Sequence, residues 1–184
     1  MKTLIVHPSD QSTDFLTPIE EQFDKKTVVR GQLRKQDLLN MVSSHERFIG
    51  LGHGSSLGLM SVGQFVDTGF YAVDSTFAEF LKLKANNILI WCFAYEFAKT
   101  NKIPCFASDM FVSERSEIHY LQGIDVTLSE ISESNECFVR EISQYIHYPL
   151  HELYRSIKNG AYAELATRNP VAAYNYARLY LVEC

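Results

Sequence analysis

The sequence predicts an α/β protein: a three-layer α/β/α sandwich around a six-stranded, mostly parallel sheet. Three observations lead there. Leu4-Ile5-Val6, Phe48-Ile49-Gly50-Leu51 and Ile88-Leu89-Ile90-Trp91 are unbroken apolar runs, as strands are when helices cover both faces of a parallel sheet. Between them lie segments with helical spacing of apolar residues, such as Leu38, Leu39, Met41 and Val42. The chain has 184 residues, 46% hydrophobic and 21% charged, which suffices for one large domain with a substantial core.

Residues 2–7 read as the first strand, closed by the turn Pro8-Ser9-Asp10, with His7 and Asp10 as turn residues. Residues 14–24 are a weak helix in which Pro18 is tolerated only near the first turn. Residues 27–31 are a short second strand stopped by Gly31, and residues 34–45 a helix. The third strand is 47–52. Gly58, Gly63 and Gly69 then punctuate short apolar pieces over 55–75, which reads as a small β-meander. Thr76 and Glu79 have capping-box spacing and start a helix with Phe77, Phe80 and Leu81 on its buried face.

The fourth strand is 87–92, followed by a helix over 93–101 and a fifth strand over 103–107 with Pro104 near its start. Residues 114–122 read as a helix closed by Gly123, and 125–128 as a short sixth strand. The remainder reads as a helical C-terminal extension of about 131–184, set against a core of about 1–130. Its helices fall at 135–147, 150–158 and after Asn169-Pro170, where Asn caps and Pro takes the first position. Tyr174, Tyr176, Leu179, Tyr180 and Leu181 form a stripe read as core packing.

A formal charge of −5 provides no electrostatic footprint for nucleic acid or an anionic membrane. No apolar run reaches the length of a membrane span. The run after Met1-Lys2 is too brief for a signal-peptide core, so a cytoplasmic protein is expected. Cys92, Cys105, Cys137 and Cys184 form no Cys-x-x-Cys pair and have no His at metal spacing. No metal and no cofactor are expected. Cys105 and Cys137 read as small buried hydrophobes, and Cys184 as incidental.

The third and fourth strands end in His53 and Cys92. In open parallel sheets, chemistry gathers beyond the carboxyl ends of strands. Adjacent strands lie roughly 5 Å apart. A thiol and an imidazole at neighbouring tips could cooperate, with His53 polarising Cys92 for attack on a carbonyl. A helix starting just after Cys92 would favour the thiolate. Gly54 lets a substrate carbonyl approach its backbone N–H, and Ser55 follows in the same loop. Asp109 follows the fifth strand and could line a pocket for a basic substrate residue, a role for which Glu96 and Glu114 compete.

An apolar strand ending in His-Gly, a Gly-rich meander, a helix, and a second apolar strand ending in Cys, 39 positions on (92 minus 53), is an ordered set. It resembles the caspase-like superfamily of cysteine peptidases, which includes caspases, metacaspases, gingipains, legumains, separases and CHAT domains, and looks most like its compact bacterial members. The resemblance covers roughly residues 1–130. It implies a caspase-like sheet, a His53/Cys92 dyad that cleaves peptide bonds through a thioester, and an oxyanion site made by the N–H groups of Gly54 and Cys92. A peptide or protein substrate follows, with a protein partner or oligomer left open. The chain departs from the family at Trp91 and Phe93, where small residues are usual near the Cys. Two alternatives stand beside the peptidase: a catalytically inactive CHAT-like scaffold or sensor, and a flavodoxin-like small-ligand-binding domain, for which Gly-x-Gly-x-x-Gly and phosphate-loop patterns are lacking.

Overall fold

The computed structural model describes residues 1–183; Cys184 lies outside the described residues. In chain order the regular elements are β1 (Thr3–Val6), α1 (Thr17–Glu20), β2 (Lys26–Val29), α2 (Lys35–Ser44) and β3 (Arg47–Leu51). There follow β4 (Gly54–Ser55), β5 (Gly58–Met60), β6 (Tyr71–Asp74), α3 (Ala78–Lys82), β7 (Asn87–Ile90), α4 (Ala94–Asn101) and β8 (Cys105–Ser108). The chain ends with α5 (Leu128–Tyr145), α6 (Leu150–Asn159), α7 (Ala161–Leu165), α8 (Pro170–Tyr176) and β9 (Leu179–Val182).

The central sheet has six strands in the order β2-β1-β3-β7-β8-β9. The first five run parallel, and β9 is antiparallel to β8. The apolar runs are buried on both sides because alternate residues feed two separate cores. Ile5, Ile49, Ile88 and Phe106 face α1 and α5–α8, while Leu4, Phe48, Leu89 and Cys105 face α2, α3 and α4. This is the expected three-layer sandwich. The meander is also present: β4, β5 and β6 form a separate antiparallel sheet.

Four local expectations are corrected. Residues 125–128 form no strand, because Thr127 is the N-cap of α5: its hydroxyl accepts from the Glu130 N–H at 3.2 Å, and the Glu130 carboxylate accepts from the Thr127 N–H at 2.7 Å. The sixth strand comes instead from β9, inside the stripe read as helical packing. Residues 131–183 are no appendage, since Phe138, Ile142, Leu153, Ile157 and Tyr162 make up one wall of the core. Asp74 caps the 3-10 turn Ser75–Phe77 that leads into α3: its carboxylate accepts from the Thr76 N–H at 2.9 Å and the Thr76 hydroxyl at 2.6 Å, so Thr76 is not the cap.

His7 is a core residue, fully buried. Its Nδ1 lies 2.5 Å from Glu20 Oε1 and its Nε2 lies 3.2 Å from the Thr13 hydroxyl. Arg30 Nη2 donates to both Glu20 oxygens, at 3.0 and 2.9 Å. The result is a His7–Glu20–Arg30 cluster that ties the end of β1 to the end of α1 and to the loop after β2. A 3-10 turn, Gln11–Leu16, is braced between them, with Asp10 as its N-cap.

Candidate active site

Three loops meet on one rim of the sheet. β1 connects outward to β2 on one side and has β3 on the other, so the strand order reverses between β1 and β3. Such a switch point opens a crevice beyond the strand ends. The loop after β1 supplies Asp10 and Ser12, the end of β3 supplies His53, and the end of β7 supplies Cys92. His53 sits in the middle.

Register brings the predicted pair together. Leu51 pairs with Ile90, and the Gly52 N–H donates to the Ile90 carbonyl at 3.0 Å. His53 is two residues beyond Leu51 and Cys92 two beyond Ile90, so both follow the face that Leu51 and Ile90 turn toward α1 and α5. His53 and Cys92 line one cavity of about 20 Å³ together with Thr13, Leu16, Phe111 and Glu117. That volume holds about one water molecule.

The thiol is not activated at rest. Cys92 Sγ makes a long contact of 3.9 Å to the Phe111 carbonyl and no hydrogen bond to His53 among the described residues. Burial pushes its pKa from 9.0 up to about 11, with the Glu117 and Asp109 carboxylates adding to the rise. The helix end expected to favour a thiolate is outweighed. Phe93 stands between Cys92 and α4 in a left-handed conformation (φ 64°), a region that costs a β-carbon residue about 1 kcal/mol.

This shift has a consequence for stability. Above pH 9 the thiol of the unfolded chain ionises while the folded one keeps its proton. The stability linked to Cys92 is therefore complete below pH 9 and is lost as pH rises through about 11. Urea midpoints measured from pH 8.5 to 11 should fall more steeply for the native chain than for Cys92→Ala. Parallel declines would show that the thiol is not buried in this way.

His53 is better partnered than Cys92. Its Nε2 lies 2.6 Å from Ser12 Oγ, and Ser12 Oγ donates to Asp10 Oδ1 at 2.5 Å. Asp10 Oδ1 is itself 3.7 Å from His53 Nε2. The Ser12 hydroxyl and N–H hold the Asp10 carboxyl below its usual range, and the nearby His53 assists. The sequence marks Asp10 only as a turn residue and does not mark Ser12; the switch-point crevice brings them to His53.

The other predicted site residues have structural partners. Ser55 Oγ is hydrogen-bonded to the Tyr71 hydroxyl at 2.8 Å, and its carbonyl accepts from Trp91 Nε1–H at 3.1 Å, so it braces the small sheet. Gly54 is buried against the Trp91 indole, and a β-carbon there would overlap the ring. The lack of a side chain at Gly54 thus makes room for Trp91. Asp109 does not line the cavity; its carboxylate accepts from the Met110 N–H at 2.8 Å and acts on Cys92 only as a nearby negative charge. Glu117, which does line the cavity, was missed because the sequence marks it only as a charged residue in a short helix.

Among the described residues no group of three or more His, Cys, Asp or Glu could hold a metal ion, and no helix is long and apolar enough to cross a membrane. No protein-family model, no curated protein and no solved structure matches this chain.

Proposed function

We propose that this chain is a cysteine peptidase of the caspase-like kind, with Cys92 as nucleophile and His53 as acid/base. One observation carries the reading: residues 39 positions apart lie level at the ends of neighbouring strands and line one cavity. His53 takes the thiol proton as Cys92 Sγ bonds to the carbonyl carbon of the scissile peptide. The N–H groups of Gly54 and Cys92 are the candidate donors to the oxyanion. Collapse of the adduct breaks the C–N bond, and the leaving amine takes the proton back from His53. Water then hydrolyses the thioester. The substrate class is a peptide or protein. A neutral thiol at rest fits a mechanism in which the proton moves only as the bond forms.

Iodoacetamide tests the dyad. At pH 7 Cys92 should be alkylated more slowly in His53→Ala than in the native chain, on the order of tenfold or more. Near pH 11 the two rates should converge, because hydroxide then removes the proton. Equal rates at pH 7 would sink the dyad.

A second reading is favoured by the raised thiol pKa and the small cavity: a caspase-like domain that has lost activity and serves as a scaffold or sensor for a protein partner. It predicts slow labelling that is indifferent to His53.

A further inference from the structure

The hydrogen bonds around His53 fix more than its position. Asp10 is a carboxylate and can only accept. The Ser12 hydroxyl has one proton, and the 2.5 Å bond commits it to Asp10 Oδ1. Ser12 Oγ can therefore only accept at its other close contact, the 2.6 Å approach of His53 Nε2. The proton of neutral His53 must then sit on Nε2. Nδ1 is left with its lone pair and no hydrogen-bond partner among the described residues. The same accounting excludes Ser12 as a nucleophile, since Nε2 has no free lone pair to receive its proton.

We infer that Asp10, acting through Ser12, locks neutral His53 as the Nε2–H tautomer and so makes Nδ1 the basic atom of the site. Asp10 and Ser12 are positioning residues. When His53 takes up a second proton on Nδ1, the positive ring is already bonded through Ser12 to a carboxylate 3.7 Å from Nε2, which stabilises the charge. The role assigned to Nδ1 rests on the peptidase reading; the tautomer lock does not.

Two measurements separate them. In histidine-labelled protein, the His53 ring should show an exchange-protected proton bound to Nε2 and an unprotonated Nδ1. Ser12→Ala should abolish that protected signal, and Ser12→Thr, which keeps a hydroxyl, should retain it. Asp10→Asn preserves an N-cap while removing the charge. At pH 7, Ser12→Ala and Asp10→Asn should slow iodoacetamide labelling of Cys92 roughly tenfold, and Ser12→Thr should restore it. A ring proton on Nδ1, or a protected Nε2–H that survives in Ser12→Ala, overturns the inference. If His53→Ala slows labelling while Ser12→Ala and Asp10→Asn do not, the relay's part in reactivity is overturned and the dyad survives. If His53→Ala has no effect but the Nε2–H signal behaves as expected, the dyad fails and the tautomer lock stands.

Discussion

Glu20→Ala should cost about 3–5 kcal/mol of stability, the usual consequence of removing one partner from a buried charged cluster. For a chain of this size that lowers Tm by roughly 10 °C. Glu20 is 5% exposed and joins His7, which is fully buried, to Arg30. Its removal leaves the His7 Nδ1 facing a space that water reaches poorly, and frees Arg30 from its two carboxylate contacts. The damage should spread to the 3-10 turn that carries Ser12, because Thr13 Oγ1 bonds both His7 Nε2 and the Asp10 carbonyl. Urea unfolding of the native chain and of Glu20→Ala gives the difference directly. A loss under about 1 kcal/mol would place the cluster with surface ion pairs, which contribute that little.

The second large effect centres on Trp91. Its side chain is 1% exposed, packs at 5.5 Å from the Phe97 ring, covers Gly50 and Gly54, and reaches the Ser55 carbonyl through Nε1–H. Trp91→Ala should cost about 3–5 kcal/mol as a large core truncation. Gly54→Ala should cost about 3 kcal/mol by overpacking, since the added methyl would meet the indole and would lie 2.8 Å from the Gly58 carbonyl oxygen. The two changes should not add. In the Trp91→Ala background the part of the Gly54→Ala penalty set by the indole should vanish while the part set by the Gly58 carbonyl remains, leaving a coupling of about 1 kcal/mol or more in a double-mutant cycle. Additive losses would mean that Gly54 is constrained by its backbone and not by the indole. The result bears on the site because Gly54 directly follows His53.

The strands most legible in sequence were those whose alternate residues feed two cores, β1, β3 and β7, together with their adjacency. The register was not legible, since aligning the apolar runs 48–51 and 88–91 end to end would pair Leu51 with Trp91; the observed pairing of Leu51 with Ile90 is what sets His53 and Cys92 level on the lining of one cavity. β9 was hidden because Leu179–Val182 sits at a sheet edge, with only Leu179 and Val182 buried, so its pattern resembles part of a helical stripe. The start of α5 was readable in principle, since Thr127-Leu128-Ser129-Glu130 has capping-box spacing that conflicts with a strand over 125–128. Asp10 and His7 read alike, as polar residues after a strand, yet one is a half-buried cap and the other a core residue. Their difference depends on Glu20, Arg30 and His53, which come from distant segments. The thiol's environment was equally out of reach, since the burial that raises its pKa comes from tertiary packing with Phe111 and Glu117 beside it.

The wall built by α5–α8 has a bearing on how the chain is made. Ile5, Ile49, Ile88 and Phe106 are translated early, but their covering residues, from Phe138 to Ala172, are translated last. A nascent chain paused near residue 125 would already contain both halves of the reactive pair while one side of its sheet, with only α1 and its flanking residues to cover it, stayed largely bare and adhesive. Chaperone occupancy on the ribosome should peak in that interval and drop once α5 and α6 emerge.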